Sequence, residues 1–122
     1  MAGFDQLETW KECRVFRNEI SNLTVSFPRE VKYRLVDQII RSSRSVTANI
    51  AEGHGKYHYQ ENIQCCRMAR GSLNETLDHL ICAQDCKYIS TDQLQSFKVR
   101  FDACQKLING YIAYLKRKKS EG

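Results

Sequence analysis

Proline is all but absent from this chain: Pro28 is the only one in 122 residues, and only six glycines accompany it. With so few breakers the chain keeps long uninterrupted stretches, which favours helices over strands joined by tight turns. No run approaches the ~18 apolar residues needed to cross a bilayer. The opening Met1-Ala2-Gly3-Phe4-Asp5-Gln6 has neither a basic start nor an apolar core, so no signal peptide is expected and the expected location is the cytoplasm. Catalytic signatures are missing as well. There is no phosphate-cradling glycine loop, no nucleophile elbow and no Glu-x-x-His metal pair on two helices. The expectation is a protein that is not an enzyme, with no catalytic residues and no cofactor.

What is present fits one soluble globular domain spanning residues 1–122. Apolar residues make up 42% and charged residues 27%, too apolar for disorder. Cys13, Cys65, Cys66, Cys82, Cys86 and Cys104 contain no Cys-x-x-Cys spacing, and no secretory context supports disulfides; reduced structural thiols are expected. His79, Cys82 and Cys86 step by three and four along one helix face, and His54 and His58 are four apart. Three ligands on one helix, lacking a second coordinating segment, make a poor tetrahedral site, so no metal is expected.

Four helices follow from the apolar periodicity. The first is expected over residues 4–25, with Trp10, Cys13, Phe16, Ile20, Leu23 and Phe27 forming its stripe. Pro28 ends that pattern and is well suited to open the next helix, with Ser26 as a cap. This second helix spans residues 28–52, where Val31, Leu35, Ile39, Ser42, Val46 and Ile50 share a face flanked by Val36 and Ile40. Gly53 is expected just past its end, where φ is often positive. The third helix covers residues 57–87 on a seam of Ile63, Cys66, Leu73, Leu77 and Leu80. Ser90-Thr91-Asp92-Gln93 reads as a capping box opening a fourth helix over residues 90–117. Its stripe of Leu94, Phe97, Phe101, Cys104, Ile108, Tyr111 and Leu115 runs straight through Asn109-Gly110, so Gly110 is expected inside the helix beside a close neighbour. Four helices with short connections imply an all-α, antiparallel up-down-up-down four-helix bundle.

Two blocks stand out as polar inside otherwise amphipathic helices. Arg41-Ser-Ser-Arg-Ser-Val-Thr-Ala-Asn-Ile-Ala-Glu-Gly53 is one, and Gly71-Ser-Leu-Asn-Glu75 is the other. Small polar residues let helix backbones approach and must find hydrogen-bond partners when buried. Asn49, Glu52, Ser72, Asn74 and Glu75 therefore form a candidate network where the second and third helices meet. It reads either as a register-fixing structural network or as a binding pocket or oligomer contact.

The same blocks, Ser45-Val-Thr-Ala-Asn-Ile-Ala-Glu-Gly53 and Gly71–Glu75, resemble the signatures of a four-helix-bundle family encoded in intervening sequences of bacterial 23S ribosomal RNA genes. Leu7-x-x-Trp10-Lys11, Phe27-Pro28, Gln38-Ile-Ile-Arg41, Tyr88-Ile-Ser90 and Leu107-Ile-Asn-Gly110 extend the resemblance over nearly the whole chain. The family is similar in fold to the accessory protein of diversity-generating retroelements, a ring-shaped homopentamer that works beside a reverse transcriptase on nucleic acid. The resemblance thus implies self-association, with a pentamer as the expected form, and no catalytic residues. Val15, Val36, Ile40 and Val99, apolar and beside the seams, are the expected contact residues.

The net charge of +5 is unevenly spread: +3 in residues 31–60 and +4 in residues 91–122, against −1 in each other quarter. Arg41, Arg44, Lys56, Arg67 and Arg70, with Lys116, Arg117, Lys118 and Lys119, are the candidate nucleic-acid contacts, with Tyr57 and Tyr59 placed to stack. RNA or DNA is the expected partner. An ordinary solvated face is the competing reading. A structural adaptor contacting another protein, such as a reverse transcriptase or ribosome-associated factor, is the competing function.

Overall fold

The computed structural model describes residues 2–122, Lys32 by its main chain only. Four long helices dominate: α1 (Glu8–Thr24), α2 (Asp37–His54), α3 (Tyr59–Asp85) and α4 (Thr91–Glu121). No strand occurs among the described residues, and no helix is long and apolar enough to cross a membrane. Cross-helix pairs set the directions. Ser45 meets Ser72 and Ser42 meets Thr76, so α2 and α3 are antiparallel. Arg70 with Asn109 and Asn74 with Gln105 do the same for α3 and α4. Thr9 with Leu107, and Glu12 and Glu19 with Arg100, set α1 against α4. The chain is an all-α four-helix bundle.

Its core follows the expected stripes. Phe16 and Ile20 on α1, Ile39, Val46 and Ile50 on α2, Ile63, Leu73 and Leu80 on α3, and Ile108 on α4 are essentially solvent-free. Each such side chain contributes about 1.5–3 kcal/mol through burial. Arg100 ties α1 to α4, reaching Glu12 at 3.1 Å and Glu19 at 3.0 Å. At the opposite end from the chain termini, Phe27 and Tyr88 pack ring against ring at 5.7 Å and join the two loops there.

Helix boundaries follow local chemistry. At α4 the capping box forms as expected: Gln93 N–H donates to Ser90 Oγ at 3.0 Å, and Ser90 N–H to Gln93 Oε1 at 2.8 Å. The path after Pro28 differs from a continuous helix. A 3-10 turn (Arg29–Val31) and a π-helical turn (Lys32–Val36) precede α2, which begins regularly only at Asp37. The wider π turn carries an extra residue and rotates the segment. Val36 is buried and Ile40 packs on the core, so neither is the exposed contact residue anticipated; Val15 and Val99 are exposed. Ser26 does not cap this helix. Its hydroxyl donates back to the Leu23 carbonyl at 2.9 Å and closes the end of α1.

The end of α3 is a left-handed stop built on a side-chain-bearing residue. Lys87 has φ 63°, Tyr88 N–H returns to the Ala83 carbonyl at 2.9 Å, and Lys87 N–H to Gln84 at 2.9 Å. Glycine normally fills this position because a Cβ is strained there. Replacing Lys87 by Gly is expected to stabilise the bundle by about 1 kcal/mol. Chemical denaturation of the two proteins measures this directly, and an unchanged or lower midpoint refutes it.

Candidate functional site: a polar helix seam and basic hollows

The inner side of the Arg41–Gly53 block packs on α3. The Ser42 hydroxyl, buried, donates to the Ile39 carbonyl at 3.1 Å. Thr76, fully buried on α3, lies 2.7 Å from that hydroxyl and 2.8 Å from the Ser72 carbonyl. One step along, Ser45 and Ser72 hydroxyls meet at 3.0 Å, and Asn49 Nδ2 donates to both the Ser45 carbonyl and its hydroxyl. Every buried side-chain polar atom among the described residues has a partner.

Gly53 completes the seam in a way the sequence pattern did not indicate. It lies inside α2, buried, with negative φ; Gly55 caps the helix instead. A Cβ at Gly53 would stand 2.5 Å from Asn62 Oδ1 and 2.8 Å from Cys65 Cβ. The glycine exists for close approach. Asn62, itself buried, donates to Tyr111 Oη at 3.2 Å and accepts from Cys66 Sγ at 3.5 Å, linking α2, α3 and α4. Gly110 and Gly71 are the reverse case. Both lie in exposed helix with nothing within 4 Å of a built Cβ, so Gly110 lacks the close neighbour anticipated for it.

Of the expected network, Asn49 and Ser72 come together through Ser45. Glu52 pairs instead with Lys56 of its own segment at 3.8 Å, Glu75 with His79 at 3.1 Å, and Asn74 turns to Gln105 on α4 at 3.1 Å. Ser42, Ser45, Thr76, Asn62 and Tyr111 belong to the seam but were not singled out for it. The signal was available in part: Ser42 and Thr76 fall on the buried faces of their helices, where a hydroxyl needs a partner.

The basic residues divide among several surfaces. Arg67, Lys116 and Lys119 line one open hollow of about 430 Å³ over Ile63, with Gln60 and Ser120. Lys119 Nζ reaches Gln60 at 2.6 Å, and Lys118 pairs with Glu121 at 3.6 Å. Exposed Lys56, Tyr57 and Tyr59 lie at the same end of the bundle. Arg41 faces a different groove, between α2 and α3, with Ser45, Ser72, Glu75 and His79. Arg44 opens onto a third, between α1 and α2, with Trp10, Arg17 and Thr47. Arg70 is held by Asn109 at 2.8 Å.

The hydrogen bond to Cys104, and then burial, push the Cys13 thiol far up; burial pushes Cys66 to about 11 and also raises Cys65 and Cys82. All four move in the direction that keeps sulfur protonated. Cys82 and Cys86 are exposed, unlike the four buried cysteines. No group of three or more His, Cys, Asp or Glu suited to a metal ion occurs among the described residues. For Tyr111, burial raises the phenol despite the opposing Asn62 hydrogen bond.

The family profile of the 23S rRNA-intervening sequence protein matches residues 5–110. The chain belongs to that family. A crystal structure of a protein of unknown function from the S23 ribosomal protein family of Bacteroides thetaiotaomicron superposes with a TM-score of 0.79 at 26% identity. The match covers 86% of this chain and 95% of that one. No curated protein matches significantly. In this member of the intervening-sequence family, the matched region contains the whole α2–α3 seam but ends before Lys116–Lys119.

The glycines give a paired test. Gly53→Ala is expected to cost about 1–3 kcal/mol, because the Asn62 side chain and the α3 backbone must shift. Gly71→Ala and Gly110→Ala should each stabilise by about 1 kcal/mol. Equal effects at all three positions, by thermal or chemical denaturation, contradict the close-approach reading. The hydroxyl seam has its own test in Thr76→Val, expected to cost about 1–3 kcal/mol by removing the partner of buried Ser42. Adding Ser42→Ala should recover part of that loss; strictly additive losses in the double-mutant cycle exclude direct coupling.

Proposed function

We propose that this protein is a non-enzymatic, self-associating cytoplasmic bundle that binds RNA or DNA through its basic end. The observation that carries this reading is the shared hollow of Arg67, Lys116 and Lys119, whose lining contains no carboxylate. Among the described residues Arg67 and Lys116 have no ion pair or side-chain hydrogen bond of their own, which leaves their charge available. Lys118 and Lys119 also complement the negative end of the α4 dipole, a structural use of the same charges. Tyr57, 92% exposed, and Tyr59, also exposed, offer ring faces at the same end of the bundle. The bundle would meet phosphates without reading sequence, since phosphate contacts carry no sequence information.

A salt titration of oligonucleotide binding tests this. If the three cations of the hollow each meet a phosphate, log affinity falls linearly with log salt, with a slope of about −2 for a single strand. The triple variant Arg67→Ala/Lys116→Ala/Lys119→Ala should then lose most of that slope and at least tenfold in low-salt affinity. Absence of binding by the unaltered protein at low salt overturns the proposal in favour of an adaptor that contacts protein alone. Sedimentation as a monomer at high concentration overturns the self-association part.

A further inference from the structure

We infer that the groove between α1 and α2 is a second, separate binding site that holds one unpaired nucleotide and makes this protein prefer single-stranded nucleic acid. The inference rests on the nucleic-acid reading above and adds a site that reading does not use. The groove has a volume of about 480 Å³, and no carboxylate lines it. Its floor is small: Ala48 is exposed and Ala51 half-buried, both from the outer side of the Arg41–Gly53 block. One wall is Trp10, half-buried, with the edge of Phe4 against it at 5.2 Å.

Two guanidinium groups gather on that tryptophan. Arg14 lies 5.6 Å and Arg17 5.7 Å from the ring centroid. Arg17 is also anchored across the groove, donating to Thr47 Oγ1 at 2.7 Å, while Thr47 donates to the Arg44 carbonyl at 3.1 Å. Among the described residues the Arg44 side chain forms no ion pair and no hydrogen bond, and it opens onto the same groove. Charge and shape thus select one ligand chemistry. A flat aromatic group resting on the alanine floor finds the planar Arg17 guanidinium, itself over the Trp10 ring, to stack on. An anion one bond chain away finds Arg44 and Arg17, free of competing acids. A nucleobase joined to its phosphate has both parts. A base inside a duplex does not, because its faces are already stacked on its neighbours.

Trp10 is the only tryptophan in the chain, so its emission reports on this groove alone. The test titrates the unaltered protein, at low salt, with fluorescein-labelled oligouridylate, oligothymidylate and a blunt duplex of equal length. Anisotropy follows total binding; Trp10 emission, with unlabelled strands, follows the groove. Saturable quenching by single strands, at the midpoint seen by anisotropy and weaker or absent with duplex, is the expected result. Arg44→Gln removes no ion pair and no side-chain hydrogen bond among the described residues and is expected to weaken single-strand binding about five- to tenfold, with little change for duplex. Trp10→Phe should weaken it less than that while the anisotropy signal persists. Strands that bind without altering Trp10 emission, or without sensitivity to Arg44→Gln, overturn the groove but leave the basic end standing. Equal quenching by duplex overturns the single-strand preference. Emission that responds to protein dilution and to no oligonucleotide shows the groove covered by a second copy, which also overturns it. Absence of any binding overturns both proposals together.

Discussion

Close approach of α2 and α3 is the constraint on which the other features depend. Gly53 leaves no room for a Cβ against Asn62 and Cys65, and Ser42, Ser45, Ser72 and Thr76 fill the rest of the seam with small hydroxyl-bearing side chains. Helices this close must satisfy every polar group they enclose, because a buried hydroxyl without a partner costs about 1–3 kcal/mol. The hydroxyl pairs therefore act as a register. Sliding α2 along α3 by one turn would place a side chain against Gly53's partner and separate Ser42 from Thr76. Apolar packing alone tolerates such shifts far better.

Once that seam is set, the outward direction of every other α2 residue is set with it. Helical periodicity places Arg44, Ala48 and Ala51 away from α3 and toward α1, where they form the floor and one wall of the Trp10 groove. Arg41 is left at the mouth of the α2–α3 groove beside Glu75 and His79. One short sequence block thus serves two surfaces: Ser42, Ser45 and Gly53 turn to α3, while Arg44, Thr47, Ala48 and Ala51 turn to α1. The Arg67–Lys116–Lys119 hollow arises differently. It depends on α3 beginning where α4 ends, and so on the antiparallel pairing that Asn62 and Tyr111 hold together.

The helices and their core were readable from periodicity because burial enforces it. Phe16 and Ile20, Ile39, Val46 and Ile50, Leu73 and Leu80, and Phe101, Cys104 and Ile108 recur at helical spacing within their helices, and the capping box at Ser90 is a local hydrogen-bond pattern that needs no tertiary partner. The irregular turns after Pro28 were not readable, since the choice between α and π geometry there follows from how Val36 and Ile40 meet the core. The basic residues were recognisable by type but not by grouping. Arg41, Arg44 and Arg67 recur along two helices, yet rotation about each helix axis sends them to three surfaces.

Gly53, Gly71 and Gly110 mark the boundary between the two kinds of information. In sequence all three are glycines at the end of, or within, a helical pattern, and local propensity treats them alike. Only the packed structure separates the one that an α3 side chain presses against from the two that face open space. The sequence by itself determined an all-α bundle, its four helices, its core stripes and its family, because these follow from short-range periodicity and composition. The tertiary structure alone decided which polar residues meet and which cations share a hollow, because those distances are between helices far apart in the chain.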